Sequence, residues 1–579
     1  GDDAFRRFLR GYYARWALRH VDEAAMRAEA ERAAGRDLGW FFDQWVHRTG
    51  LVDYALRSTK IAAAPGGGGW VTRVRVDRVG SYAHPMPVGA RTEQQGWTIV
   101  RTDPLARTQT VEIRTAERPL EVQLDPSHTT EDWYGPNDFG DHFPDVKPAG
   151  LGPKYVVDWP FLEQSQSDRY LAALAPLATA SAANGVLFGL RARGNYQGLV
   201  DRDEVGVLFA SREPRLSREL VDPTRDNPLI RLAPASGRVQ WWAKVSDPRP
   251  FGRDRPILGL SIGVWSLDGI MKGELRKQWD ASRFLYAPGV RQTWALALTT
   301  TQPYASVIAD PFRWSGQNVA ELSAALTRRG APRPAGGAVN GIDASLALGA
   351  VRRDRVLGGE SGQPGYVRAE LAGTRTWRSP AGRDASFLRA YAAYAGRAPA
   401  ERQIYASAAD PTTTFANHLW RPLGGPLAPS VRRYGSYCCV GQSYHTLADG
   451  HYRPLGGAAL RGYDPLLALG SVVAVNAEQA RRLPTPRVRA RGPSPYASVF
   501  VDAGVPLESD FVSAGRVLAD AGVGLSLRGM LFDRDVRVRA DFPLFVRAAG
   551  PDVVSRSVGA AAGESEARFR FAFSFNDLW

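Results

Sequence analysis

Along this chain the spacing of apolar positions changes character near residues 50 and 136. Up to about residue 50 it is helical. Phe5, Phe8, Leu9, Tyr12, Tyr13 and Trp16 recur at steps of three and four, which predicts an aromatic-faced helix over 5–18. Asp22 stands where it would cap a helix from Glu23 to Ala34 that Gly35 ends, and Asp37 where it would cap one from Leu38 to Val46. From residue 51 to about 136 the period drops to two. Val71, Arg73 and Arg75 fall on one face, Thr72, Val74 and Val76 on the other. Further strands are predicted at Gly96–Arg101, Gln109–Arg114 and Leu120–Leu124, with Gly, Pro and Asp turns between them. Short strands at that spacing predict a small β-sandwich.

The stretch 137–183 has no clear period and is expected to be a linker. Its charge-free run from Tyr170, continuing to Leu190, contains Pro176 and is too weakly apolar to cross a bilayer as a helix. Beyond it, strand-like runs recur at 185–196, 203–212, 236–246, 257–267, 270–278, 291–301, 317–328, 339–352, 364–377, 385–395, 402–409, 467–482, 496–504, 517–528, 536–546 and 568–575. That makes sixteen runs, each about the length a tilted strand needs to span a membrane.

Alternation is cleanest near the C-terminus. Val536, Val538, Ala540, Phe542, Leu544 and Val546 share a face against Arg537, Arg539 and Asp541. Phe571, Phe573 and Phe575 oppose Arg568, Arg570 and Ser574, and Val523, Leu525 and Leu527 alternate with Gly522, Gly524, Ser526 and Arg528. A soluble sandwich would bury the apolar face, whereas a membrane barrel turns it to lipid. Sixteen strands over almost four hundred residues exceed one soluble core, and in lipid only closure satisfies every backbone group. The expected fold is therefore mostly β. A sixteen-stranded antiparallel transmembrane β-barrel (184–579) is preceded by a short α-helical remnant (1–50), the small β-sandwich (51–136) and the linker (137–183).

Composition narrows the chemistry. The chain of 579 residues is 44% hydrophobic and 23% charged, which excludes wholesale disorder. Its net charge is +14, but the arginines are spread singly among apolar residues, so no nucleic-acid partner is expected and a cationic lumen lining is. The two cysteines, Cys438 and Cys439, are adjacent and give no disulfide framework. The eight histidines (20, 47, 84, 128, 142, 418, 445 and 451) include no pair four apart and none followed by Glu. Two His one helical turn apart with an intervening Glu would be needed for a His-Glu-x-x-His zinc site, so neither a metal site nor a cofactor is expected in this stretch.

Two resemblances add to this reading. The first rests on Phe5-Arg6-Arg7-Phe8-Leu9-Arg10-Gly11-Tyr12-Tyr13, Val21-Asp22-Glu23, Ala34-Gly35-Arg36-Asp37-Leu38, Phe41-Phe42-Asp43-Gln44-Trp45 and Thr49-Gly50. Together with Leu124-Asp125-Pro126, Asp132-Trp133-Tyr134 and Asn137-Asp138, this order resembles the end of the catalytic domain and the following sandwich of gluzincin-type zinc aminopeptidases. The chain has Gly50-Leu51-Val52 where that family usually has Gly-x-Pro. The resemblance implies that the chain is a fragment of a longer zinc metallopeptidase. Zinc and a peptide-binding catalytic domain would lie upstream, and the fragment would be inactive alone.

The second rests on Leu460-Arg461-Gly462-Tyr463 and Phe500-Val501-Asp502-Ala503-Gly504. These resemble the lumen-loop motif and the strand-thirteen signature of the outer-membrane barrel superfamily that includes the barrel-assembly insertase and the two-partner-secretion transporters. The motif follows eleven strand candidates and precedes five, as in that family. The resemblance implies an ion pair inside the barrel from Arg461 to Asp502, with Glu478 as the second candidate. The aromatic series Phe571, Phe573, Phe575 and Trp579 resembles the terminal signature read by barrel-assembly machinery.

The expected protein is an outer-membrane-anchored metallopeptidase of a Gram-negative cell. Its N-terminal domains would lie in the periplasm, and the barrel would serve as anchor or peptide conduit, with membrane lipid and the assembly machinery as partners. One rival is a transport barrel with an inactive peptidase-like handle. The other is a soluble β-rich binding protein, which detergent dependence would separate from both.

Overall fold

The computed structural model describes residues 2–48, 50–127, 129–130, 132–133, 135–138, 154–157, 170–181, 185–196, 200–211, 238–248, 257–267, 269–280, 290–303, 317–330, 336–352, 365–380, 383–407, 409–415, 456–463, 467–484, 494–507, 517–531, 534–547 and 572–576. The chain divides into two compact units, the first formed mainly by residues 1–153 and the second by the remainder.

The first unit opens with three helices, α1 (Asp2–Trp16), α2 (Glu23–Ala34) and α3 (Gly39–His47). Asp22 caps α2 by accepting from the Ala25 amide at 2.9 Å, and Gly35 closes it in the left-handed region at φ 68°. Leu38, not Asp37, occupies the cap position of α3. Asp37 accepts from the Gly39 amide at 2.9 Å instead, so the helix starts one residue later than the Asp signal suggests. The apolar face of α1 is largely open, with Phe5, Leu9 and Tyr13 exposed and Phe8 buried.

Six strands follow: β1 (Tyr54–Ala63), β2 (Trp70–Arg78), β3 (Pro87–Thr92), β4 (Gly96–Arg101), β5 (Thr108–Thr115) and β6 (Glu121–Leu124). They form two three-stranded sheets, ordered β1-β2-β5 and β4-β3-β6. Alternation decides what each strand buries. Val74 and Val76 of β2 and Val111 and Ile113 of β5 enter a core with Tyr54, Leu56, Met86, Val88 and Leu124, while Arg73 and Arg75 stay exposed. At one margin Asp138 is buried close to Asp132, Asp125 and Asp53. Loss of hydration and that crowd of carboxylates hold its carboxyl well above the usual range.

The second unit is one sheet. A short strand, β7 (Lys154–Val157), is followed by β8 (Leu171–Ser181), β9 (Gly185–Tyr196), β10 (Val200–Ala210), β11 (Val239–Ser246), β12 (Leu260–Leu267), β13 (Ile270–Asp280), β14 (Arg291–Pro303), β15 (Asn318–Arg329), β16 (Gly337–Arg352), β17 (Gly365–Arg378) and β18 (Asp384–Gly396). It ends with β19 (Ser471–Arg482), β20 (Ser494–Pro506), β21 (Leu518–Leu531), β22 (Arg534–Val546) and β23 (Ala572–Asn576). From β8 to β23 sixteen strands run in chain order, each antiparallel to the next. The strand order is that of a closed barrel. Among the described residues β8 and β23 do not pair directly; β7 stands between them and runs parallel to β8.

The sixteen antiparallel strands match the expected number, with the short parallel β7 added to the sheet, although two members differ. The run 402–409 is not a sheet strand. It is a 3-10 turn, Ala400–Arg402, followed by extended chain with a single bridge from Tyr405 to Ala468. In its place β8 occupies part of the stretch expected as linker. Its sequence, rich in Ala with Pro176 at its centre, carries too little contrast between faces to announce a strand. A third correction concerns β22. Ala521 pairs with Phe545 and Gly522 with Pro543, so Leu544 is the extra residue of a bulge. The bulge reverses the alternation beyond it: Phe545 turns outward, and Val546, expected on the apolar outer face, packs against the inner core.

Two ends of the barrel differ. At the end where β8 begins, strands are joined by 197–199, 247–259, 281–290, 330–336, 379–383, 483–493 and 532–533. At the other end lie 182–184, 211–238, 268–269, 304–317, 353–364, 397–470, 507–517 and 547–571, which include the three longest connections. The faces differ too. Phe188, Leu190, Trp294, Leu296, Leu298, Leu346, Leu348, Leu371, Val499, Val501 and Leu525 are all exposed on the outside. Arg191, Glu321, Arg368, Glu478, Asp502 and Arg539 are buried on the inside. No helix of the described residues is long and apolar enough to cross a membrane, which says nothing of a barrel.

Candidate functional site in the barrel lumen

The connection from β18 to β19 turns inward and fills part of the lumen. Residues 404–406 are held on both sides by returning chain. Leu460 N donates to Ala406 O and Ala458 N to Tyr405 O, while Ala406 N donates to Leu467 O and Leu469 N to Ile404 O. Ile404, Ala406, Leu460, Tyr463, Leu467 and Leu469 then pack against Tyr391, Val472 and Leu518 of the wall. This extended ribbon explains why 402–409 reads as a strand locally: its apolar alternation serves a core inside the barrel instead of the barrel sheet.

Arg461 is the centre of one ion-pair network. Its Nε donates to Asp502 Oδ2 at 2.9 Å and Nη2 to Asp502 Oδ1 at 3.3 Å, a two-pronged grip on a β20 carboxylate. Nη1 donates to Glu478 Oε2 of β19 at 3.0 Å, and the guanidinium lies 4.0 Å above the Phe500 ring. Glu478 also accepts from Arg539 of β22 at 2.8 Å, which in turn donates to Asp541 at 2.6 Å. Asn476 of β19 donates to Asp502 at 3.1 Å and to the carbonyls of Ala458 and Ala459, and Arg389 of β18 donates to Gly457 O at 2.9 Å.

Each residue around Arg461 has a local task. Leu460 is fully buried in the inner core. Gly462 passes so close to the wall that a Cβ there would meet Val546 Cγ2 at 2.5 Å and Asp520 Cβ at 2.9 Å. Tyr463 donates its hydroxyl to Arg547 O at 2.6 Å and accepts from Ala519 N at 2.8 Å, tying the loop to β21 and the end of β22.

A second network, absent from the sequence-level candidates, holds the outgoing arm of the same loop. Arg402 grips Glu321 of β15 with two nitrogens, Nε at 2.6 Å, and reaches Asp410 at 3.3 Å and Thr412 at 2.8 Å. Arg368 of β17 donates to the same Asp410 at 3.1 Å and pairs with Glu370 at 2.9 Å. Tyr366 and Tyr391 donate to Glu321 and Glu370 at 2.6 and 2.7 Å. After one helical turn, Pro411–Thr414, Phe415 packs against Leu187, Leu208, Trp242, Trp265 and Ile270 on β9 to β13. The arm thus joins the β15–β18 arc of the wall to the β9–β13 arc.

Arg402 could be flagged from sequence only as the first residue of a strand-like run and Asp410 only as the charge just beyond it, because barrel curvature selects their partners. Arg539 and Asp541 carried a weak signal, two charges one residue apart on a single strand face. Inside the barrel Arg368, Arg402, Arg461 and Arg539 each meet a carboxylate, so these arginines are paired and not a bare cationic lining. Phe573 and Phe575 stand in β23, paired in register with Ala540 and Val538. Phe571, Trp579, Cys438 and Cys439 lie outside the described residues. Among the described residues no group of three or more His, Cys, Asp or Glu is placed to hold a metal ion.

No protein-family model matches this chain, and no curated protein matches it. Among solved structures it is similar to CdiB from Escherichia coli, at 12% identity and a TM-score of 0.34, over 68% of this chain and 60% of that one. A BenF-like porin from Pseudomonas fluorescens Pf-5 aligns at 11% identity and TM-score 0.25, over 66% of this chain and 94% of the porin. Pseudomonas aeruginosa OccK11 aligns at 11% and 0.26, over 68% and 95%. The match spans about three-fifths of the CdiB chain. The barrel assignment stands on the strand pairing itself. Neither these likenesses nor the described residues support a zinc aminopeptidase part.

Proposed function

We propose that this chain is an outer-membrane translocation barrel closed at rest by its own β18–β19 loop. The observation that carries the reading is the pair of buried ion networks, around Arg461 and Arg402, that fasten the two arms of that loop to different arcs of the wall. An open porin needs no such fastening, and a passive anchor gains nothing from ion pairs that are costly to desolvate. The exposed apolar outer face supports contact with lipid. The short connections at the end where β8 begins support a periplasmic start, so the first unit serves there as a handle for cargo or partner. The terminal aromatics fit recognition by barrel-assembly machinery.

The test is conductance in planar bilayers. Wild type is expected to be mostly closed. Arg402→Ala, with folding checked by heat-modifiable gel mobility, is expected to open long-lived channels. A wild type that conducts steadily like a porin, unchanged in Arg402→Ala, would overturn the reading.

A further inference from the structure

Resting on the membrane reading above, we infer that the short-loop rim, over the arc from β13 to β19, binds the phosphodiester headgroups of anionic glycerophospholipids. Four cations on this arc point outward, and each lies within three residues of the strand terminus at that end. Lys277 shares a face with exposed Leu275 and Trp279, and Arg375 with exposed Leu371 and Trp377. Arg328 shares a face with exposed Leu322, and Arg481 with exposed Val473 and Val475. The one outward acid among the described residues of this arc near that end is Asp384, 3.9 Å from Arg481. On β10, outside the arc, an acid, Asp203, takes the corresponding place. At the long-loop end of β13 to β19 the only outward charge among the described residues is Arg352.

A bare cation is costly on a face that meets hydrocarbon, yet favourable one or two residues further on, at headgroup depth. The neighbouring rings fix that depth. Trp279, Trp294 and Trp377 stand exposed near the same strand termini, with Lys277 Nζ 5.9 Å from the Trp279 ring centroid. On β13 and β17 the indole lies two residues nearer the rim than the cation, so Lys277 and Arg375 reach headgroup depth by extending their stems toward the rim, as Lys277 does in donating to Leu258 O, whereas Trp294 lies beneath Arg328. An indole level with a Lys or Arg head matches a lipid with an apolar tail and a single negative phosphate. The cations are distributed round an arc instead of clustered, which suits a row of lipid headgroups better than one multivalent ligand. Their excess over Asp384 gives the preference its sign.

The test uses the full chain reconstituted in phosphatidylcholine vesicles with brominated lipid as a quencher of tryptophan fluorescence. Brominated phosphatidylglycerol is expected to quench several-fold more effectively than brominated phosphatidylcholine. The preference should fall stepwise with each cation removed in the series Lys277→Gln, Arg328→Gln, Arg375→Gln and Arg481→Gln, reaching parity when all four are gone. Asp384→Asn should raise it, and millimolar inorganic phosphate should leave it unchanged. Equal quenching by the two lipids, or a preference that survives all four substitutions in a protein with normal heat-modifiable mobility, overturns the inference while the barrel reading stands. Competition by inorganic phosphate also overturns it, in favour of a soluble anion site. No quenching by either lipid overturns the membrane reading itself.

Discussion

The sandwich and the barrel are written in the same two-residue code and resolve it in opposite directions. In β2 the valines go in and Arg73 and Arg75 go out to water. In β20 Val499 and Val501 go out, and Asp502 goes in to be fully buried beneath Arg461. The sandwich closes by laying one short sheet on another, so its apolar faces meet each other. The barrel closes on itself, leaving its apolar face with no protein to meet and its polar face too crowded to stay solvated. Buried charge is therefore unavoidable inside the barrel, and it is tolerated because Arg368, Arg402, Arg461 and Arg539 each find a carboxylate.

That contrast can be broken most sharply at Arg461. Arg461→Ala leaves Asp502 and Glu478 buried without their shared cation, and should cost about 3–5 kcal/mol. The urea midpoint in detergent should fall accordingly, and a change below about 1 kcal/mol would mean the network is solvated. The next largest effect tests the outer face. Leu298→Arg on exposed β14 should cost about 2–4 kcal/mol for folding into vesicles. Thr110→Arg on exposed β5 of the sandwich should stay within about 0.5 kcal/mol. Equal effects at the two sites would show that both outer faces meet water.

The smallest effect sharpens the sandwich side. Asp138 is held above the usual carboxylate range by burial and by neighbouring acids. Its folded state therefore keeps a proton that the unfolded chain releases. The associated stability is complete below the unfolded carboxyl value near 4 and is lost progressively as pH rises from there toward the raised folded value. Asp138→Asn should be nearly neutral at pH 4 and more stable than wild type at pH 8. Hydrogen exchange of β1 peptides, compared between the two proteins at each pH, reads this directly; a difference independent of pH contradicts it.

Legibility followed local contrast. The caps at Asp22 and Gly35 are readable because a cap acts on the backbone within three residues of itself. Most barrel strands are readable because a charged residue beside a Leu or Val fixes both faces. Strand β8 is not, since Leu-Ala-Ala-Leu-Ala-Pro has almost no face to read. Residues 402–409 mislead for the opposite reason, having strand-like alternation without a place in the sheet. The two errors offset each other, so eleven strands still precede Arg461 and five follow it. Val546 shows a subtler limit, because a single bulged residue at Leu544 reverses every side chain after it.

What the sequence by itself determined was the period: helical to residue 50, then two-fold, with strands of membrane-crossing length in the long C-terminal part. The motif resemblance at Leu460–Tyr463 and Phe500–Gly504, and not the period, set apart Arg461, Asp502 and Glu478, residues that lie within hydrogen-bond distance once folded. Only the tertiary structure decided that β8 joins the sheet while 402–409 does not, that β22 bulges at Leu544, and that Arg402 meets Glu321. Periodicity is a property of neighbours along the chain. Closure, curvature and the pairing of charges eighty residues apart are properties of the whole sheet, and no local stretch carries them.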